Sequence, residues 1–172
     1  PLAGVRVVEL AAIGPVPFAG RMLRQLGAQV TLVCAAQQRN LGIPMPDDPL
    51  ESGKQRVTLD LKTQEGRDAL GMLLHQADAL IEGFRPGTLE RLGLAPPDLH
   101  AARPALVIGR CTGWGAASPR ASCAGHDINF LALAGILGAI GQKERPSPPL
   151  NLVGDFGGAG MHLALGIVAA LF

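Results

Sequence analysis

Cysteine is scarce in this chain and sits in no useful pattern. Cys34, Cys111 and Cys123 are odd in number, widely spaced and without a CxxC pair. That argues against a disulfide framework or a zinc site and implies a reducing, cytoplasmic setting, with a peroxisomal or mitochondrial one left open. Charge is short as well: 17% of residues are charged and the net charge is +1. A dedicated nucleic-acid binder would show a basic stripe. Here the basic residues are scattered, which suits a polyanionic small molecule met by a few side chains. The opening Pro1-Leu2-Ala3-Gly4 has neither the charged nor the apolar region of a secretory signal. The uncharged run from Phe156 to Phe172 is 17 residues long and holds His162 and four glycines. It is short for a membrane span and reads as a buried helix, so no membrane partner is expected.

What is present is a globular α/β pattern. With 172 residues, 48% of them hydrophobic, the chain has length for one core. Val5–Leu10 reads as a buried strand, Ala11–Pro17 as a Gly/Pro loop, Phe18–Leu26 as a helix stopped by Gly27, and Gln29–Cys34 as a second strand. Strand, helix and strand in this order make a βαβ unit with a parallel pair. The loop between them is no dinucleotide fingerprint: Gly14-Pro15-Val16-Pro17 lacks GxGxxG, and its prolines remove N–H groups that a phosphate would use. Further on, 37–54 reads as an irregular loop. Arg56–Leu61, Ala79–Glu82 and Ala105–Arg110 read as strands. Thr63–Ala77 reads as a helix, and Thr88 is placed to cap a short helix ending at Gly93. Asp98–Ala102 is another short helical stretch. After a loop to Ser122 the pattern is helical only, over Asp127–Ile140 and Gly157–Phe172, with Pro146, Pro148 and Pro149 between.

Two polar interruptions stand out in the apolar second half. Ala124-Gly125-His126-Asp127-Ile128-Asn129-Phe130 puts a histidine at the start of a helix-like run. Asp155 lies 29 residues further on, among glycines and apolar residues in Asn151–Gly158. A histidine and a carboxylate facing one pocket could form a pair of proton-transfer groups. Equally, a lone histidine in an apolar stretch serves a core and a lone aspartate caps a helix, and Asp127 itself has the position of an N-cap.

GHDIN and PLNLVGDFGG, in this order and at this separation, resemble the α-methylacyl-CoA racemases of the family III CoA-transferases (CaiB/BaiF-like). The opening VRVVELAAIGPVPFAGRMLRQLGAQV, VTLDLK, IEGFRPGTLERLGL and TGWG resemble the same family, so the likeness runs along almost the whole chain. It implies a Rossmann-like parallel sheet with flanking helices, residues 1–172 being the N-terminal portion of the family's large domain. It implies inversion of the 2-methyl centre of a 2-methylacyl-CoA by two bases, His126 and Asp155, with no metal and no cofactor beyond the substrate's own CoA. An unperturbed imidazole titrates at about pH 6.5 and suits either role, whereas Asp155 needs an apolar surrounding to act as an acid. Around CoA the likeness implies Lys62, Arg85 and Arg91 for the phosphates, and Ile13, Leu59, Gly83 and Phe84 for apolar or backbone contact. Gly125 completes the CoA-binding set, and the helix start after it offers free N–H groups, so the backbone N–H of Asp127 or a neighbour is expected to hold the thioester oxygen. An interlocked homodimer is implied for the full-length protein.

Two departures matter. Ala35 stands where the likeness implies an arginine near the adenosine end, and Arg39 is a neighbouring candidate to substitute, so the departure bears on CoA affinity. The chain also stops at Phe172 inside an apolar run, which is the expectation for part of a longer protein. Two other functions stay open: a CoA-transferase with Asp155 as nucleophile, and a non-catalytic CoA-binding remnant.

Overall fold

A computed structural model describes residues 1–35 and 48–172. Arg39 and most of the 37–54 loop lie outside the described residues. Five parallel strands form the centre: β1 (Arg6–Leu10), β2 (Gln29–Cys34), β3 (Gln55–Thr58), β4 (Ala79–Glu82) and β5 (Val107–Arg110). Their order is β3-β2-β1-β4-β5, so the chain reverses its direction of travel across the sheet between β1 and β4. In open α/β sheets, ligands bind outside the strands' carboxyl ends at such a reversal.

Side chains alternate across β1 and build two cores. Val7 joins Val16, Ala19 and Leu23 of α1 (Pro15–Gln25) and, from the chain's end, Ala164 and Ile167. Val8 and Leu10 face the opposite way, onto Leu70 and Leu74 of α2 (Gln64–His75), Leu89 of α3 (Thr88–Arg91) and Leu94. α4 (Pro96–Ala102) buries no residue fully. Each sealed Leu, Ile or Val stabilises the fold by about 1.5–3 kcal/mol.

Several boundaries differ from the sequence expectation. α1 begins at Pro15 because proline suits the first helical turn, where its missing N–H has no partner to lose. Thr63 caps α2, accepting from the Gly66 N–H at 3.0 Å. Thr88 is not a cap: Gly87, at φ 83°, makes the turn, and the Thr88 hydroxyl accepts from Arg91 Nη2 at 2.9 Å. The expected helix Asp127–Ile140 is cut to α5 (Asp127–Leu133), since Gly135 takes a left-handed φ of 77°; a 3₁₀ turn follows at Leu137–Ala139. A small hairpin, β6 (Gly141–Gln142) with β7 (Arg145–Pro146), fills the stretch that had been expected only to separate helices. The final helical run starts earlier than Gly157, as a π-helical segment over Leu152–Gly160 that continues into α6 (Met161–Leu171). α6 is not a buried helix. Ala164 and Ile167 face the core, while Met161 and Leu165 are exposed. By length and composition, Leu152–Leu171 is long and apolar enough to cross a membrane; one face of it packs on α1 and β5.

The least expected feature of the core is charged. Glu9, in the middle strand, is fully buried, and so is the side chain of Lys54. Lys54 Nζ donates to Glu9 Oε1 at 2.8 Å, to Glu9 Oε2 at 2.7 Å and to the Pro17 carbonyl at 3.0 Å. Burial pushes the Glu9 carboxyl up to about 7 against the pull of Lys54. Gly20 lacks a side chain where a Cβ would overlap Glu9 Oε2, so α1 can lie directly over the pair. Removing one partner strands the other charge in the core. Lys54→Met is therefore expected to cost about 3–5 kcal/mol, read as a lower urea midpoint, and the Glu9→Met/Lys54→Met pair to recover most of it. A loss below about 1 kcal/mol for the single variant would show the pair to be solvated.

Candidate active site at the carboxyl edge of the sheet

The exits of β1, β4 and β5 converge on one edge. Gly83, just after β4, sits where a Cβ would lie 2.9 Å from Val16 Cγ2 and 3.3 Å from Ala12 Cβ. Only glycine lets the β4 exit press on the β1–α1 loop. In that loop Gly14 has a φ of 78°, and a Cβ there would stand 2.8 Å from Asp155 Oδ2. The Asp155 carboxyl thus lies directly over the start of α1. Phe18 and Phe156 lock this contact, with stacked rings 4.7 Å apart.

The segment carrying Asp155 is wound as a π-helix, with Phe156 N–H bonding the Asn151 carbonyl at 3.1 Å. π-turns are rare and frequent at functional sites. Asp155 is half-buried. Burial raises its carboxyl above the usual range, the Asp127 charge adds to this, and His126 opposes it. Asp127, the residue after His126, touches Asp155 directly through the Asp155 N–H, while no hydrogen bond or ion pair joins His126 to Asp155 among the described residues.

His126 is exposed at the N-cap of α5, and its N–H donates to Asn129 Oδ1 at 2.9 Å. Asp127 is consequently not the N-cap. Its side chain turns inward and accepts the Asp155 N–H at Oδ1, 2.6 Å away. Gly125 holds the loop before the helix against two aromatic rings, where a Cβ would stand 2.7 Å from both Trp114 Cζ2 and Phe130 Cε1. Trp114 and Phe130 meet edge to face at 4.7 Å. The TGWG stretch thereby supports GHDIN from beneath.

The remaining candidates are spread along the same edge. Ile13 is exposed in the β1–α1 loop; Leu59 and exposed Lys62 follow β3; half-buried Phe84 and exposed Arg85 follow β4. Arg91, at the end of α3, lines a hollow of about 510 Å³ with Arg67, Gln64 and Leu94, between α2 and α3. Ala35 is exposed directly after β2.

Sequence reasoning missed the groups that hold this edge. Glu82, fully buried, accepts the Phe84 N–H at 2.6 Å and Arg110 Nε at 2.6 Å; Arg110 Nη1 reaches Glu90 at 2.9 Å. Glu82 so ties the exits of β4 and β5 together, and Arg110 carries the link on to Glu90 of α3. Its only signal in the sequence was a charge ending the apolar strand Ala79–Glu82. Cys111, at the β5 exit, is pushed up to about 11 by burial, with Asp155 and Glu82 adding; it is a thiol at neutral pH and no ready nucleophile.

Residues 2–172 match the sequence profile of CoA-transferase family III. The chain is 45% identical to the alpha-methylacyl-CoA racemase of Mus musculus over 172 residues, 99% of this chain and 44% of that protein. It is 41% identical to the racemase of Homo sapiens, with the same coverage. Among solved structures, Rv3272 of Mycobacterium tuberculosis superposes with a TM-score of 0.88 at 36% identity, over 99% of this chain and 48% of that one. Rv3272 is described as a probable fatty acyl-CoA transferase. The chain belongs to CoA-transferase family III and carries that family's Rossmann-like α/β fold. It spans less than half the length of these relatives.

The raised Asp155 carboxyl has a consequence for stability. A carboxyl lifted in the folded state favours folding at low pH, and that contribution is lost as pH rises from the ordinary value of 3.8 through the folded one. Asp155→Asn removes the ionisation. It is expected to melt higher than the parent at pH 7–8, by less than about 1 kcal/mol given the solvent exposure, and to match it near pH 4. Equal melting at both pH values would contradict the assigned shift.

Proposed function

We propose that this chain supplies the proton-transfer site of an α-methylacyl-CoA racemase. One observation carries the reading: a half-buried carboxyl, raised above its usual range, sits on a residue whose N–H is bonded to Asp127, the neighbour of the exposed His126, at the sheet's carboxyl edge. Inverting a centre α to a thioester needs a base on one face and an acid on the other. Neutral His126 takes the α-proton and becomes imidazolium, while the electron pair moves into an enolate. The protonated Asp155 then returns a proton to the opposite face and leaves as carboxylate; the reverse run exchanges the roles. The backbone N–H of Asp127, next to Gly125, is the donor we assign to the enolate oxygen. CoA is met by Lys62, Arg85 and Arg91 through charge and by Ile13, Leu59, Gly83 and Phe84 through apolar or backbone contact, and no metal or further cofactor takes part. The racemase relatives support this assignment.

A second reading draws on the transferase relatives. There Asp155 attacks an acyl-CoA thioester and carries the CoA to a second carboxylate. The exposed apolar side chains Leu133, Leu152 and Leu165 further support a whole protein in which more polypeptide, in an interlocked homodimer, covers this half.

The two activities separate cleanly. With the full-length protein, a single epimer of a 2-methylacyl-CoA in D2O is expected to gain α-deuterium with loss of configuration and with no acceptor acid present. His126→Ala and Asp155→Asn should each lower that exchange by about 10²–10⁴-fold. CoA exchange between carboxylic acids with a hydroxylamine-sensitive adduct, and no α-deuterium, would establish transfer instead. Neither activity would leave a CoA-binding remnant.

A further inference from the structure

Asp127 is a nearly sealed carboxylate, 8% exposed, and no Lys, Arg or His pairs with it among the described residues. A buried carboxylate ordinarily needs a cation or several donors. Here the donor is one backbone group, the Asp155 N–H, at 2.6 Å. The identity of that group is informative. The first π-helical bond of the segment runs from Phe156 N–H to the Asn151 carbonyl, so Asp155 carries the last N–H at the segment's head without an acceptor inside it. Asp127 supplies that acceptor from another helix. Gly154 makes room for it, because a Cβ there would overlap Asp127 Oδ1.

We propose that the Asp127 side chain is the positioning residue for Asp155: it fixes the backbone of Asp155 and sets a second negative charge beside its carboxyl. The chemical result follows from like charges resisting ionisation together. Asp155 keeps its proton to higher pH than burial alone would allow, which a proton donor requires. The shift of Asp155 agrees, with Asp127 ranking after burial and His126 opposing. Among the described residues, the other groups facing Asp155 are His126 from α5 and the Cys111 thiol from the β5 exit. α1 brings Gly14, which does not titrate, and His162 of α6 is engaged through Nδ1 with the Gly158 carbonyl at 2.7 Å. The catalytic part of the proposal rests on the reading of Asp155 as a proton-transfer group; the electrostatic part does not.

Asp127→Asn keeps an acceptor for the Asp155 N–H and removes the charge; Asp127→Leu removes both. With ¹³C at the aspartate carboxyls, the Asp155 resonance is assigned by its loss in Asp155→Asn. Its titration midpoint is expected to fall by about half to one pH unit in Asp127→Asn. An unmoved midpoint overturns the proposal. In the α-deuterium assay, the Asp155 limb of the pH profile should shift to lower pH by the same amount in Asp127→Asn. Asp127→Leu should lose at least tenfold in rate, and Asn should restore part of that loss. Equal losses in both variants with an unshifted limb overturn the proposal. A lowered midpoint in a protein that exchanges no α-proton upholds the electrostatic role and sinks the racemase reading alone.

Discussion

Lys54 reaches into the sheet and binds three oxygens at once, two on Glu9 and one on the Pro17 carbonyl. Glu9 belongs to the central strand and Pro17 to the first turn of α1, so a single ammonium group sets the height and direction of that helix over the sheet. Much of the site inherits this setting. The start of α1 offers Gly14 to Asp155, and Phe18, one turn on, stacks on Phe156. A buried ion pair contributes little net stability compared with apolar side chains of the same size. Its value here is one of place: apolar residues would fill the space without demanding that Pro17 stand over Glu9.

The second half of the chain hangs on that platform through a segment of unusual winding. Gly154 and Gly160, within Leu152–Gly160, are not spacers. Gly154 admits the Asp127 carboxylate, and Gly160 admits Phe18, whose Cδ1 would stand 2.7 Å from a Cβ there. Close approach on both flanks turns a helix into a clamp around Asp155, held by Asp127 on one side and α1 on the other. The two carboxylates differ in environment: Asp127 is sealed and bonded, Asp155 half open at the sheet edge. Placing unlike environments around neighbouring carboxyls is how proton donors and charge holders are separated in one site.

The strands were legible because runs such as Val5–Leu10 and Gln29–Cys34 are short, β-branched and apolar, and the parallel order followed from the helices between them. Helix limits were less so. Gly135 stopped α5 by conformation, whereas in sequence it looked like one more small residue in an apolar run. The π-winding at Leu152 had no periodic signal at all. His126 and Asp155 could be singled out as polar groups in apolar context, and the fold sets them on one edge; their roles are what the proposed function adds. The supporting charges were hidden for a physical reason. Lys54 finds Glu9 across 45 residues, and Asp127 finds Asp155 across 28. Neither pairing leaves a periodic trace in sequence, and a side chain such as Asp127 at a helix start is indistinguishable from a cap until its direction is known.

Inversion in the proposed reaction requires two bases acting from opposite faces of one carbon. A crystal structure of the protein with an unreactive analogue of a 2-methylacyl-CoA enolate tests this directly. An imidazole nitrogen of His126 and a carboxyl oxygen of Asp155 are expected on opposite sides of the α-carbon plane, each at about 3–3.5 Å. Both groups on the same face, or Asp155 at the thioester carbonyl carbon with His126 remote, would contradict two-base inversion.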